Sequence, residues 1–154
     1  LPFEPIASLE VFKVFPQMES LNLSGNQNLS DWSALSELKL KKLSLNKTGL
    51  KDIRFLHKLE SLEILRLSGN ELRSLEGLES LINLKGLYLS YNHLDNIGLL
   101  NHLSFLEHLE INHNKIVDIT PLKSLKRLKR LDISFNPVKD QGLLKKIEAD
   151  LATW

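Results

Sequence analysis

From Leu62 to Leu81 the chain reads LEILRLSGNELRSLEGLESL, with leucines at 62, 65, 67, 72, 75, 78 and 81 and Asn70 between the halves. Twenty-two residues on, Leu84, Leu87, Leu89, Asn92, Leu94, Ile97, Leu100 and Leu103 take the same places. A further step gives Leu106, Leu109, Ile111, Asn114, Ile116, Ile119, Leu122 and Leu125. Backwards the pattern lands on Leu40, Leu43, Leu45, Thr48, Leu50, Ile53, Leu56 and Leu59. With the outermost copies, residues 18–137 hold six repeats, starting at Met18, Leu40, Leu62, Leu84, Leu106 and Leu128. A constant period of this length marks a stacked array, in which each unit buries its apolar face against its neighbours.

The pattern changes period inside each repeat. In L-x-x-L-x-L the alternation sends the second and third leucines to one face of a short strand. The three-residue spacing that follows suits a 3₁₀ turn or short irregular helix. The chain therefore climbs as a strand, crosses over and returns along the outer side. Parallel strands at about 4.8 Å spacing give a concave face roughly 24 Å long over five steps. The asparagine column (Asn26, Asn70, Asn92, Asn114, Asn136) stands where the chain leaves the sheet and its backbone groups need partners, so it reads as structural. Thr48 interrupts the column with a lone hydroxyl and is expected to lose one backbone bond or replace it with water.

The ends depart from the pattern. Residues 1–17 read as an N-terminal cap, a half repeat in which Ile6, Leu9, Phe12 and Phe15 stand two periods before Leu50, Ile53, Leu56 and Leu59. Ser8 is expected to cap a short helix through Phe15, Pro16 to end it, and the two phenylalanines to close the core. In the first repeat the outer apolar residues Leu29, Trp32, Leu35 and Leu38 come one residue late, and Trp32 is expected to fill the extra room. Residues 138–154 predict a C-terminal capping helix with Leu143, Leu144, Ile147 and Leu151 on one face.

Composition narrows the functional classes. The 154 residues are 42% hydrophobic, enough for a continuous core. No apolar run approaches the roughly 18 residues of a membrane span. A net charge of +1 supplies no global field toward nucleic acid or membrane. Without cysteine there is no disulfide staple, thiolate metal site or cysteine nucleophile. Because the chain begins at Leu1, it is expected to be a processed or trimmed product, compatible with a removed signal peptide.

The span from Ile6 to about Val138 resembles the short, 22-residue SDS-type leucine-rich repeats, most closely in LKGLYLSYNHLDNI and LKRLDISFNPV. Such repeats occur in a regulatory subunit of type 1 protein phosphatase, in other intracellular adaptors and in bacterial internalins; IVDITPLKSLKRL is similar to internalin repeats. The resemblance implies an α/β repeat fold: a right-handed leucine-rich-repeat solenoid with a parallel concave sheet, a 3₁₀ or short helical convex side, and caps at both ends. It also implies a non-enzymatic protein-protein interaction module that binds through the concave face.

Recognition falls to what the pattern leaves free. The central concave column reads Asn22, Ser44, Arg66, Tyr88, Glu110 and Asp132; the one before it Ser20, Lys42, Ile64, Gly86, His108 and Arg130. Beyond a small polar column comes Gly25, Lys47, Gly69, Tyr91, His113 and Phe135. Repeats three to six thus gather Arg66, Tyr88, Tyr91, His108, Glu110, His113, Arg130, Asp132 and Phe135, and Tyr and Arg are the types enriched in binding hot spots. Tyr91, His113 and Phe135 are expected to stack as neighbouring rings. Glu110 and Asp132, on adjacent strands, are expected to repel and raise the pKa of one of them, with Arg66, Arg130 and His108 compensating.

Other chemistries find less support. His108, Glu110, His113 and Asp132 have no metal-binding spacing, so no metal or cofactor is expected. No nucleophile elbow or phosphate loop is present, so no enzyme activity is expected. The basic residues Lys123, Lys126, Arg127, Lys129, Arg130, Lys139, Lys145 and Lys146 lie mostly off the concave strands among acids and read as a solvated flank rather than a nucleic-acid surface. The sequons at Asn22, Asn28 and Asn46 matter only in a glycosylating pathway. His57, His93 and His102 are expected to face solvent. The expectation is a monomeric, cytoplasmic protein with a protein partner; the alternatives are an internalin-like secreted or surface adhesin or effector, and a structural spacer of a larger polypeptide.

Overall fold

The alternating part of each repeat supplies three residues to a sheet, and the chain turns away at the asparagine that follows. The computed structural model of the chain describes residues 8–15 and 17–152. Its strands are β1 (Ser20–Asn22), β2 (Lys42–Ser44), β3 (Ile64–Arg66), β4 (Gly86–Tyr88), β5 (His108–Glu110) and β6 (Arg130–Asp132). They form one sheet in chain order with every neighbour parallel. The register advances by one period per strand, setting Leu21, Leu43, Leu65, Leu87, Leu109 and Leu131 side by side. Beneath them Leu45, Leu67, Leu89 and Ile111 are wholly buried, and the convex leucines complete one continuous core. The architecture is a leucine-rich-repeat solenoid.

The convex segments are 3₁₀ helices at Ser33–Glu37, Arg54–Lys58, Gly98–His102 and Thr120–Ser124. A side chain at the entry of each convex segment accepts a backbone N–H two residues on: Asp31 from Ser33, Asp52 from Arg54, Ser74 from Glu76, Asn96 from Gly98, Asp118 from Thr120. Short polar side chains compete well for such local donors. Between β3 and β4 no 3₁₀ helix forms. There Gly77, at φ 105°, approaches the preceding turn so closely that a Cβ would sit 2.4 Å from the Ile53 carbonyl oxygen.

The asparagine column works as a ladder. Asn70 Nδ2 donates to the carbonyls of Leu67 and, one turn back, Leu45, while its Oδ1 accepts from Leu50 N. Asn92 repeats this with Leu89, Leu67 and Leu72 N. Asn114 and Asn136 follow suit. The Thr48 hydroxyl lies 2.9 Å from its own repeat's Leu45 carbonyl and 3.1 Å from Asn70 Oδ1 on the next turn, and Thr48 makes no bond to the preceding turn.

At the N-terminal end a 3₁₀ helix spans Glu10–Val14, and Ser8 Oγ accepts from Glu10 N at 3.3 Å. The helix stops before Phe15, which is 54% exposed and does not close the core as expected from its spacing. Leu9 is buried and Phe12 half-buried, so they cover that end instead. Ile6 and Pro16 lie outside the described residues. Trp32 is buried, its ring stacked on Phe55 at 5.4 Å. After β6, helix α1 (Gln141–Leu151) starts on the Asp140 side chain, which accepts Leu143 N at 2.8 Å. Its Leu143, Leu144, Ile147 and Leu151 are half-buried against the core. Among the described residues no helix is long and apolar enough to cross a membrane.

Candidate functional site

Because strand neighbours stand one period apart, each concave column becomes a row of adjacent side chains. Arg66, Tyr88, Glu110 and Asp132 form such a row across β3 to β6. The Arg66 guanidinium lies over the Tyr88 ring, 4.8 Å from its centroid. Tyr88 leans across Gly86, where an added Cβ would come within 3.2 Å of Tyr88 Cε2. Glycine at 86 therefore leaves room for the ring to lie down against the sheet.

At the rim, where the strands end, Tyr91, His113 and Phe135 stack with centroid separations of 4.1 and 4.2 Å. Their backbone is the part that sequence reasoning missed. Tyr91 (φ 57°), His113 (φ 52°), Phe135 (φ 55°) and Lys47 (φ 54°) are all left-handed. The turn imposes this: the N–H groups of Tyr91 and His113 donate to the carbonyls of Asn112 and Ser134 on the next turn. A non-glycine residue held so costs on the order of 1–2 kcal/mol. The signal in the sequence was Gly25 and Gly69 in the same column, both also at positive φ.

The acidic pair behaves differently from expectation. Glu110 and Asp132 are register neighbours, yet the Asp132 carboxyl lies below its usual pKa range rather than above it. Partial burial pushes it up, but donors from the Ser134 hydroxyl, Asn112 Nδ2 and Ser134 N, with nearby His113, outweigh that. Hydrogen bonds, rather than Arg66, Arg130 or His108, stabilise the anion. Glu110 is exposed, and its carboxylate makes no hydrogen bond or ion pair within the described residues.

One residue before each strand runs a column that alternates in sign: Glu19, Lys41, Glu63, Lys85, Glu107 and Lys129. Its members pair on adjacent turns, Glu19–Lys41 at 2.6 Å, Glu63–Lys85 at 2.8 Å and Glu107–Lys129 at 2.8 Å. The lysine partner holds each of Glu63 and Glu107 below the usual carboxylate range. These charges neutralise one another, and Lys129 is thereby withdrawn from any basic patch. The charges of the concave row are not paired in this way.

A hollow of about 480 Å³ lies between β4–β6 and the end of α1, with Tyr88, His108, Glu110, Arg130, Asp132 and Glu148 on its walls. The structure thus gathers five of the candidate residues at one place, sets Arg66 against Tyr88, and places the three stacked rings along the adjoining rim. Larger hollows lie on the convex side, between Leu122–Leu128 and α1 and beside Trp32, and are lined mainly by flanks of the core. His57, His93 and His102 are exposed. Among the described residues no group of three or more His, Asp or Glu is placed to hold a metal ion.

A family model for leucine-rich repeats in two copies matches residues 38–80, 82–124 and 104–146. Among solved structures, internalin C2 of Listeria monocytogenes superposes with a TM-score of 0.81 at 32% identity, over 90% of this chain and 61% of that one. A second Listeria monocytogenes internalin gives 0.73 at 29% identity, over 96% of this chain and 49% of its own. A leucine-rich-repeat protein of Leptospira interrogans gives 0.81 at 29% identity, over 96% and 38%. The chain therefore spans between about two fifths and three fifths of the length of these structures. No curated protein matches it.

Proposed function

Since the chain belongs to the leucine-rich repeat family, we propose that it is a non-enzymatic module binding a protein partner on the concave face of repeats three to six. The observation that carries this reading is the contrast between two neighbouring columns. Charges just before the strands are consumed in ion pairs, whereas Arg66, His108, Glu110 and Arg130 on the strands make no ion pair with one another. Unpaired charge beside Tyr88 and the exposed rings is the composition of a binding patch. The partner surface that complements it is basic or mixed in charge.

The likeness to two internalins favours one second reading, a secreted or surface adhesin or effector of a bacterium. It uses the same face and differs in where the partner resides. Both readings are tested by quantitative capture with the intact chain. Tyr88→Ala and Glu110→Ala should each weaken binding of the captured protein by more than about 1 kcal/mol. Lys42→Ala and Asn22→Ala, on the early strands, should be nearly neutral. Binding that ignores the first pair and collapses with the second moves the site to the N-terminal half.

A further inference from the structure

Resting on that reading, we propose that the ring ladder Tyr91–His113–Phe135 is the docking strip for an extended segment of the partner, with an apolar side chain on the rings and a Lys or Arg directed at Glu110. The ladder has no inward structural duty. Tyr91 is 59% and Phe135 74% exposed, so these rings pack on the central imidazole and otherwise meet water. The backbone at these positions disfavours bulky residues, and the same turn is made with glycine at 25 and 69. Three successive aromatics held against that preference, with Tyr91 and Phe135 exposed about a half-buried His113, present apolar surface outward.

Dimensions and charge select the occupant. The rings cover three turns, and an extended chain rising about 3.3 Å per residue lays two or three residues across them. Two columns inward, beyond Ser90, Asn112 and Ser134, lie exposed Glu110 and the Asp132 carboxylate, stabilised as an anion by Asn112 and Ser134, with Glu148 across the hollow. Arg130 stands two residues farther along its strand, away from the rim. Past the small polar column of Ser90, Asn112 and Ser134, the next row inward from His113 and Phe135 is therefore acidic, and a cation reaching over that column from an apolar residue on the rings complements it. Arg66 over Tyr88 shows the stacked geometry that a guanidinium takes on this face.

The test uses the intact chain, isotope-labelled, and three synthetic peptides: acetyl-Arg-Trp-Arg-Trp-amide and its counterparts with Glu or Gln in place of Arg. The Arg peptide should shift the amides of Tyr91, His113, Phe135 and Glu110 at about tenfold lower concentration than either counterpart. Phe135→Gly and Glu110→Gln should each weaken it about fivefold. Phe135→Gly should also unfold at a temperature close to that of the unaltered chain. Equal binding of all three peptides, or shifts confined to the N-terminal strands, overturns the proposal. So does a Phe135→Gly chain that unfolds with lost cooperativity, since the ladder would then be structural; Glu110→Gln, which leaves the backbone alone, still reports on the charge. Capture that depends on Tyr88 and Glu110 without any peptide preference would sink the strip and leave the concave-face reading standing. Peptide preference with capture indifferent to Tyr88 and Glu110 would sink both, since the partner's cation would then not meet Glu110.

Discussion

The same turn is filled by glycine at 25 and 69 and by lysine or an aromatic residue in the other repeats, so identity at one position decides how much strain the backbone stores. Leucine spacing carries no record of this, because the strained residues lie between the core positions. The asparagine column was legible for the opposite reason: an amide with both donor and acceptor suits a turn inside the stack. Asn92 is buried and bonds Leu67 O, Leu89 O and Leu72 N. Asn92→Ala leaves those groups unpaired and should cost about 2–4 kcal/mol. Thr48→Ala should cost less, as its hydroxyl serves one backbone carbonyl and shares the Asn70 Oδ1 acceptor with two backbone N–H groups that remain. Gly77→Ala should be among the more damaging changes, about 2–4 kcal/mol, because its new methyl would meet the Ile53 and Arg54 backbone at a φ that disfavours side chains. Gly25→Ala, also at positive φ but with nothing within 4 Å, isolates the conformational cost alone, about 1 kcal/mol. Urea midpoints at constant slope would rank the four variants; equal loss at both glycines would remove close packing as the reason for Gly77.

Each convex element begins with a side chain that accepts a backbone N–H, and this recurring polar position went unread because apolar spacing dominates the sequence. Its residue type varies among Asp, Ser and Asn, which hides the column. Strands were easier, since alternation and register follow from the period; the segment between β3 and β4, which forms no 3₁₀ helix, carries Gly77 at φ 105°. The aspartates give these elements a pH dependence. Hydrogen bonds from Ser33 to Asp31, from Arg54 to Asp52 and from Thr120 to Asp118 lower the pKa of each carboxyl. A group whose folded pKa is depressed contributes stability above its unfolded value, about 3.9, and loses it as pH falls through the folded value. The array should therefore weaken on acidification from about pH 5 to pH 2. Asp118→Asn keeps an acceptor for Thr120 N without titrating, so its melting temperature should fall less steeply over that range. A slope identical to that of the unaltered chain would remove Asp118 from the account.

In the whole molecule, adjacency is set by stacking: residues one period apart become neighbours. That rule made the candidate patch legible by position, since whatever alternates with the inward leucines must face the concave side. It did not reveal which charges were available. The Glu–Lys alternation beside the strands and the Asn112–Ser134 donors around Asp132 are pairings across turns, visible only when side-chain reach is known. Stacking also spreads damage. Leu87→Ala in the middle strand removes a wholly buried side chain and should cost about 2–5 kcal/mol, with broadened unfolding as the array loses coupling. The open ends are where stacking has no partner, and there we propose that α1 acts as a lid. Its Leu143, Leu144, Ile147 and Leu151 are only half-buried, yet they pack on a core whose last layer holds Leu131 and Ile133. Deleting the residues after Asp140 would leave that layer without its helix. Since terminal repeats need a polar outer covering, the shortened chain should self-associate at concentrations where the full chain stays dispersed. Light scattering beside thermal unfolding would decide it. A shortened chain that stays monomeric and melts at the same temperature would show that the sixth repeat closes the core by itself.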